Sequence, residues 1–277
     1  MLDDSKVEPR PDAAGSQARL RERTAIKNLR IIASSISPYI IAIISIALIW
    51  QLAVVLLDPP SAILPAPAKV AQTFLEELLS GELLLNASVS LTRVTTAWII
   101  SAAIAIPLGV LMARSTPAEK LLDPVIELFR PISPLAWIPL AILWFGIGEA
   151  GKIFIIFIAT FFPILLNTVD GIKRVDPVLI RAGLVLGCTT SSELFFRVML
   201  PAALPTILVG LRISFGTGWA AIIAAELVAA NSGLGYLIAD GMEILRSDLV
   251  MVGMIAIGII GVLVDAVFKS LVNKFAK

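Results

Sequence analysis

Apolar positions in this chain come in long blocks, and the charged positions are confined to the stretches between them. Residues 34–57, 94–112, 131–148, 153–169 and 249–264 contain no Asp, Glu, Lys or Arg. Residues 204–230 are equally apolar except for Arg212 and Glu226. Crossing a bilayer takes roughly 20 residues of helix. Six such blocks predict an all-α, polytopic membrane protein with six transmembrane helices, at residues 36–57, 92–113, 131–148, 152–170, 204–230 and 249–268. Residues 1–33 read as a cytosolic N-terminal tail and residues 34–277 as the membrane domain. Lys152, Asp170 and Asp248 then fall at span rims, where charge is tolerated near the interface.

The intervening stretches have their own patterns. Asp58-Pro59-Pro60 and Leu64-Pro65-Ala66-Pro67 end the first span in extended chain. Val70, Phe74, Leu75 and Leu78 recur at helical spacing with Glu76 and Glu77 opposite, which predicts an amphipathic helix over 68–85 outside the membrane. Leu121, Leu122, Val125 and Leu128 give residues 115–130 an apolar face. The third span holds Pro131, Pro134 and Pro139, which a membrane protein tolerates when neighbouring helices satisfy the freed backbone groups. Ser232-Gly233-Leu234-Gly235 predicts a turn before a short helix.

Composition agrees with the pattern: 58% of residues are hydrophobic and the mean hydropathy is +0.93. Charge sets the expected orientation. Of 22 Lys and Arg residues, 7 lie in 1–38, 3 in 114–130, 5 in 170–212 and 3 in 265–277. Basic residues collect on the cytoplasmic side of membrane proteins. With six spans these four segments share one side, so both termini of a multi-pass chain are expected in the cytoplasm. The basic residues of the N-terminal tail precede a true span, which reads as a retained tail rather than a cleaved leader.

Chemistry is narrowed by what is missing. The chain has no histidine and a single cysteine, Cys188. That excludes Ser-His-Asp and Cys-His catalysis, an intramolecular disulfide and cysteine-cluster metal sites. Gly146-Ile147-Gly148-Glu149-Ala150-Gly151-Lys152 matches the spacing of phosphate-binding glycine loops. Position 153 is Ile, not Ser or Thr, and both flanks are apolar spans, so the stretch reads as a tight interhelical turn. No cofactor is expected in this chain, and no nucleic acid partner.

The longest basic connection is the loop at 171–203. Asp176-Pro177 has the form of a helix start, with Asp as N-cap and Pro in the first turn. Gly187 suits a left-handed helix end. Ser191 or Ser192 is expected to cap a second helix with Leu194, Phe195 and Val198 on its apolar face, and Pro201 and Pro205 mark entry into the fifth span.

This loop resembles the EAA loop of ABC importer permeases of the binding-protein-dependent type. The resemblance runs over about residues 60–270. The segments 140–148, 161–171, 175–177, 200–205, 210–212 and 224–235 are similar to the nitrate, sulfonate, taurine and bicarbonate branch. The resemblance implies a type I permease fold and a chain that is not itself an enzyme. ATP and magnesium would belong to separate cytosolic ATPase subunits, into which the loop docks. It also implies a second permease copy in a homodimer, an extracytoplasmic substrate-binding protein and a small anionic solute. The coupling residues carried over are Arg181, Ala182, Gly183, Gly187, Glu193, Leu200 and Pro201. Two depart from the family pattern: Arg181 stands where an acidic residue is usual, and Gly183 where an alanine is.

Thr160, Asn167, Thr217, Trp219 and Glu226 are the polar or amphipathic groups inside spans and are the candidates for a translocation pathway. A carboxylate at position 226 is costly, and structural pairing is expected, with Arg212 or a backbone amide. An ion-gradient-driven secondary transporter is the alternative function; it would use intramembrane carboxylates in inverted repeats, and no repeat is visible.

Overall fold

The computed structural model describes residues 41, 42 and 44–275. The tail at 1–33 and the first residues of the span at 36–57 lie outside the described residues. The described residues divide into two compact units, one ending at Pro60 and one beginning at Ser61. In the first, α1 (Ile44–Leu57) is an apolar helix.

The second unit is helical throughout its regular structure. Its order is α2 (Pro67–Ser80), α3 (Glu82–Arg114), α4 (Thr116–Phe129), a 3-10 turn (Pro134–Trp137), α5 (Ile138–Phe145), α6 (Glu149–Lys173), α7 (Pro177–Val185), α8 (Ser191–Leu194), a π turn (Phe195–Met199), α9 (Leu200–Ala229), α10 (Leu234–Glu243) and α11 (Ser247–Phe275). The amphipathic α2 stops earlier than the pattern predicts. Gly81 takes a left-handed conformation (φ 85°) that ends it, and α3 starts at once.

The six-span count is not reproduced. Among the described residues four helices are long and apolar enough to cross a membrane: 82–114, 149–173, 191–228 and 247–272. The predicted third span is not one straight helix. α4 and the segment Pro134–Phe145 form a pair bent by 83°. Pro131, Pro134 and Pro139 each lack an N–H, and the ladder that would join the two halves cannot form. Counting the bent pair as one gives five.

α6 lies between α3 and α9, and glycines set the spacing. A Cβ on Gly210 of α9 would lie 2.4 Å from Asn167 Cβ, and one on Gly218 would lie 2.6 Å from Thr160 Cγ2. On α3, a Cβ at Gly109 would meet Thr168 at 2.8 Å. Small residues give apolar helices their close approach, because lipid offers no hydrophobic drive to associate. Hydroxyls then bond across the seams: Thr160 Oγ1 donates to Ser101 Oγ at 2.6 Å, and Trp98 Nε1 donates to Ser214 Oγ at 2.9 Å.

Pro163 interrupts α6 and leaves the carbonyl of Ala159 without its usual donor. Thr217 of α9 fills the gap, its Oγ1 donating to Ala159 O at 3.0 Å.

At one end of the bundle a buried ionic cluster joins α3, α6, α9 and the turn before α10. Arg93 donates through Nε and Nη2 to the two carboxylate oxygens of Glu149, both at 2.6 Å. Its Nη1 donates to Glu226 Oε1 at 2.8 Å and to Ser232 O at 2.6 Å, and Nη2 also reaches Ser232 Oγ at 3.1 Å. Glu226, with no side-chain exposure, further accepts from Ser90 Oγ and from the backbone N–H of Gly235 at 3.0 Å. Lys152 adds a bond to Glu149 at 3.0 Å. Glu226 is thus paired as expected, and a backbone amide takes part, but the cation is Arg93. Arg212 is engaged elsewhere, in a two-pronged bond to Asp265 of α11 at 2.6 and 2.7 Å.

Removing one side of a buried pair costs about 3–5 kcal/mol. Arg93→Met should therefore lower the unfolding temperature of the detergent-solubilised protein sharply in a thermal-shift measurement. Glu149→Gln should lower it much less, because that side chain is 57% exposed.

Candidate functional site

The loop between α6 and α9 is held in shape by local bonds that its sequence encodes. Asp176 caps α7, its Oδ1 accepting from Val178 N at 2.7 Å, with Pro177 in the first turn. At the other end Gly187 has φ 96°. The N–H of Cys188 reaches Gly183 O at 3.0 Å and the N–H of Gly187 reaches Leu184 O at 3.2 Å, a Schellman closure. The second helix is capped one residue before the predicted serines. Thr190 Oγ1 accepts from Glu193 N, while Glu193 accepts from the N–H groups of Thr189 and Thr190. This is a capping box, and its Thr-x-x-Glu spacing is the sequence signal that the neighbouring serines obscured.

Glu193 thus shapes the loop backbone. Gly183 lets α7 lie against the next helix: a Cβ there would be 2.8 Å from Val198 Cγ2 and 3.1 Å from Leu194 Cδ1. Arg181 and Ala182 are exposed on α7, and Arg181 makes no ion pair among the described residues. Leu200 and Pro201 open α9 just after the π turn. The ring of Pro201 crowds the carbonyl of Arg197 four residues earlier, which accounts for the widened turn at Phe195–Met199. At the C-terminal end of α7, Val185 is 88% exposed and Leu186 85% exposed.

Beside this loop a groove of about 770 Å³ runs along α6 and α9 to the break between α4 and α5. Its wall is mostly apolar, with Phe162, Pro163 and Leu166 from α6 and Ala220 and Ala221 from α9. Arg130, Asp170, Asn167 and Thr217 are its polar groups. Asp170 bonds Arg174 at 3.1 Å, whereas Arg130 has no ion pair among the described residues. Asn167 Nδ2 donates to Pro163 O at 2.8 Å, leaving its Oδ1 free to accept.

Of the five pathway candidates, Asn167 and Thr217 line this groove and three do not. Thr160 is fully buried and bonded to Ser101 and Ile156 O in the α3–α6 seam. Glu226 is enclosed in the Arg93 cluster. Trp219 is buried towards α11, its Nε1 donating to Ile257 O at 3.3 Å. In each case a partner inside the chain satisfies the polar group, so packing accounts for the residue. Residues 146–148 form the turn between α5 and α6, and Glu149–Lys152 open α6; Gly146 (φ 73°) ends α5, and Lys152 is buried on Glu149.

Cys188 is buried beneath the loop. Gly183→Val should lift α7 from Val198 and expose it. Maleimide labelling of this single cysteine is expected to rise several-fold over wild type, while Gly183→Ala should give a smaller increase.

A family model described as "Binding-protein-dependent transport system inner membrane component" matches residues 105–277. A putative ABC transporter permease protein of Methanocaldococcus jannaschii is 41% identical over 232 residues, covering 82% of this chain and 86% of that one. The taurine transport system permease protein of Escherichia coli K12 is 40% identical over 227 residues, covering 80% and 82%. Among solved structures, an inward-facing MetNI methionine ABC transporter chain superposes with a TM-score of 0.63 at 18% identity, covering 73% of this chain and 99% of that one. That likeness extends to the fold, and the sequence relatives extend it to the role: the chain belongs to the binding-protein-dependent inner membrane components and is a membrane-spanning permease subunit of an ABC importer.

Proposed function

We propose that this permease carries a small anionic solute of the nitrate, sulfonate, taurine or bicarbonate kind, and that the α7–α8 loop takes its driving force from cytosolic ATPase subunits. ATP and magnesium are held by those subunits. A second copy of this chain completes the pathway, and an extracytoplasmic binding protein delivers the solute. The loop and both termini lie in the cytoplasm of a bacterial cell.

The observation that carries the reading is the end of α7. Val185 and Leu186 stand out from a basic loop with nothing among the described residues to cover them. The Schellman closure at Gly187 fixes them in one position. Burying a side chain of this size is worth about 1.5–3 kcal/mol, so a protein surface that covers both gains firm attachment. Exposed, unpaired Arg181 supports a docking surface with acidic groups opposite, where the family's usual acidic residue would call for basic ones. Arg181 is accordingly the position at which partner choice is set.

The groove supports the solute class. Its one acid, Asp170, is paired with Arg174, and its one arginine, Arg130, has no carboxylate partner among the described residues, which leaves positive charge for an anion. The name of the taurine relative points the same way. Glu226 is enclosed by Ser90 and Arg93 and does not line the groove, which disfavours the gradient-driven alternative.

The test is taurine uptake into proteoliposomes holding the assembled permease and ATPase, with the binding protein supplied. Leu186→Glu should insert normally and lose at least about tenfold in ATP-dependent uptake, as for loss of a buried interface anchor. Uptake at the wild-type level would refute docking through this loop. Asn167→Trp should block uptake while ATP hydrolysis continues, and unimpaired uptake would remove the groove from the pathway.

A further inference from the structure

Arg114 is the last residue of α3, and its guanidinium carbon lies 4.6 Å from the centroid of the Phe195 ring. No carboxylate pairs with it among the described residues. A guanidinium without an acid partner finds its attraction on an aromatic face, through the negative potential of the ring.

Phe195 is 2% exposed and opens the π turn that joins α8 to α9. It sits where several elements converge. Ile172 of α6, Ala203 of α9, Val110 of α3 and Ile180 of α7 all belong to the apolar cluster around it. The loop helix α7 rests on Leu194 and Val198, the residues flanking Phe195 on the same face, because Gly183 has no side chain. A displacement of α7 therefore reaches Phe195 through close packing. From Phe195 it can pass to α6 and α9 through covalent chain and apolar contact. α3 shares the apolar contact through Val110, but no loop segment continues into it. There the ring is gripped at its face by Arg114.

We propose that Arg114 is a positioning residue for energy coupling: its stack on Phe195 makes the end of α3 follow the α7–α8 loop when that loop is moved. This rests on the reading that the loop docks on the ATPase. The contribution of one such stack to folding is small beside the apolar cluster around Phe195, so its loss leaves the fold in place and loosens one joint. α3 is also the helix that carries Arg93 at its far part. Through the buried Arg93 cluster, a movement of α3 reaches the opposite end of the bundle as well.

The experiment uses the complete transporter in proteoliposomes and measures taurine taken up per ATP hydrolysed. Arg114→Leu should assemble and hydrolyse ATP at the wild-type rate, with the ratio lowered roughly two- to fivefold, the factor that an exposed cation–π contact represents. Arg114→Lys keeps a cation over the ring and should recover at least half of the loss. If Arg114→Leu fails to assemble, Arg114→Gln carries the same test. An unchanged ratio in the assembled variant would overturn the proposal, as would a fall of uptake and hydrolysis in equal proportion. Failure of the underlying docking reading looks different: Leu186→Glu would then leave uptake intact in the wild-type background.

Discussion

Arg93 has five N–H groups, and inside an apolar bundle each of them needs an acceptor. All five have one: two on Glu149, one on Glu226 and two on Ser232. A guanidinium left partly unsatisfied at this depth would cost several kcal/mol, so the geometry leaves little freedom to the groups that meet it. α3, α6 and α9 must arrive in one register, and the turn before α10 must fold back over Glu226. The glycine contacts along the seams then act between helices whose relative heights are already set.

This arrangement divides the molecule by mechanical character. One end is tied by buried, mutually compensating charges. The other end carries exposed pairs such as Arg174 with Asp170, worth little in water, and a loop stiffened chiefly by its own caps. The groove lies between the two, along the two helices that glycine brings closest together. Closely packed interiors have low compressibility and transmit strain, so a displacement at the loop has packed neighbours to act on.

The sequence made the apolar helices legible because membrane insertion demands long uncharged runs. Asp176, Pro177 and Gly187 announced the loop helix because caps are local and use few residue types. What stayed illegible shares a cause. Arg93 gives no signal of its own in the sequence, because its partner Glu226 lies 133 positions away and nothing local betrays the pairing. The third span was counted by length, while Pro131, Pro134 and Pro139 already forbade a continuous ladder. Thr160, Trp219 and Glu226 were polar in apolar surroundings, but whether such a group faces a groove or a neighbour depends on helix rotation, which periodicity resolves poorly when all faces are apolar. Asn167 and Thr217 were singled out on the same evidence and do line the groove.

Pro163 and Thr217 bear on how the chain is made. α6 is synthesised before α9, so the Ala159 carbonyl enters the membrane with no donor from its own helix. Until Thr217 arrives, 58 residues after the carbonyl it serves, the nascent helix carries an open defect that water or the insertion machinery must shield. The defect closes only when α9 docks in its native register. A gap in the hydrogen-bond ladder that would weaken an isolated helix thus favours the arrangement of α6 against α9 over premature association with another apolar helix.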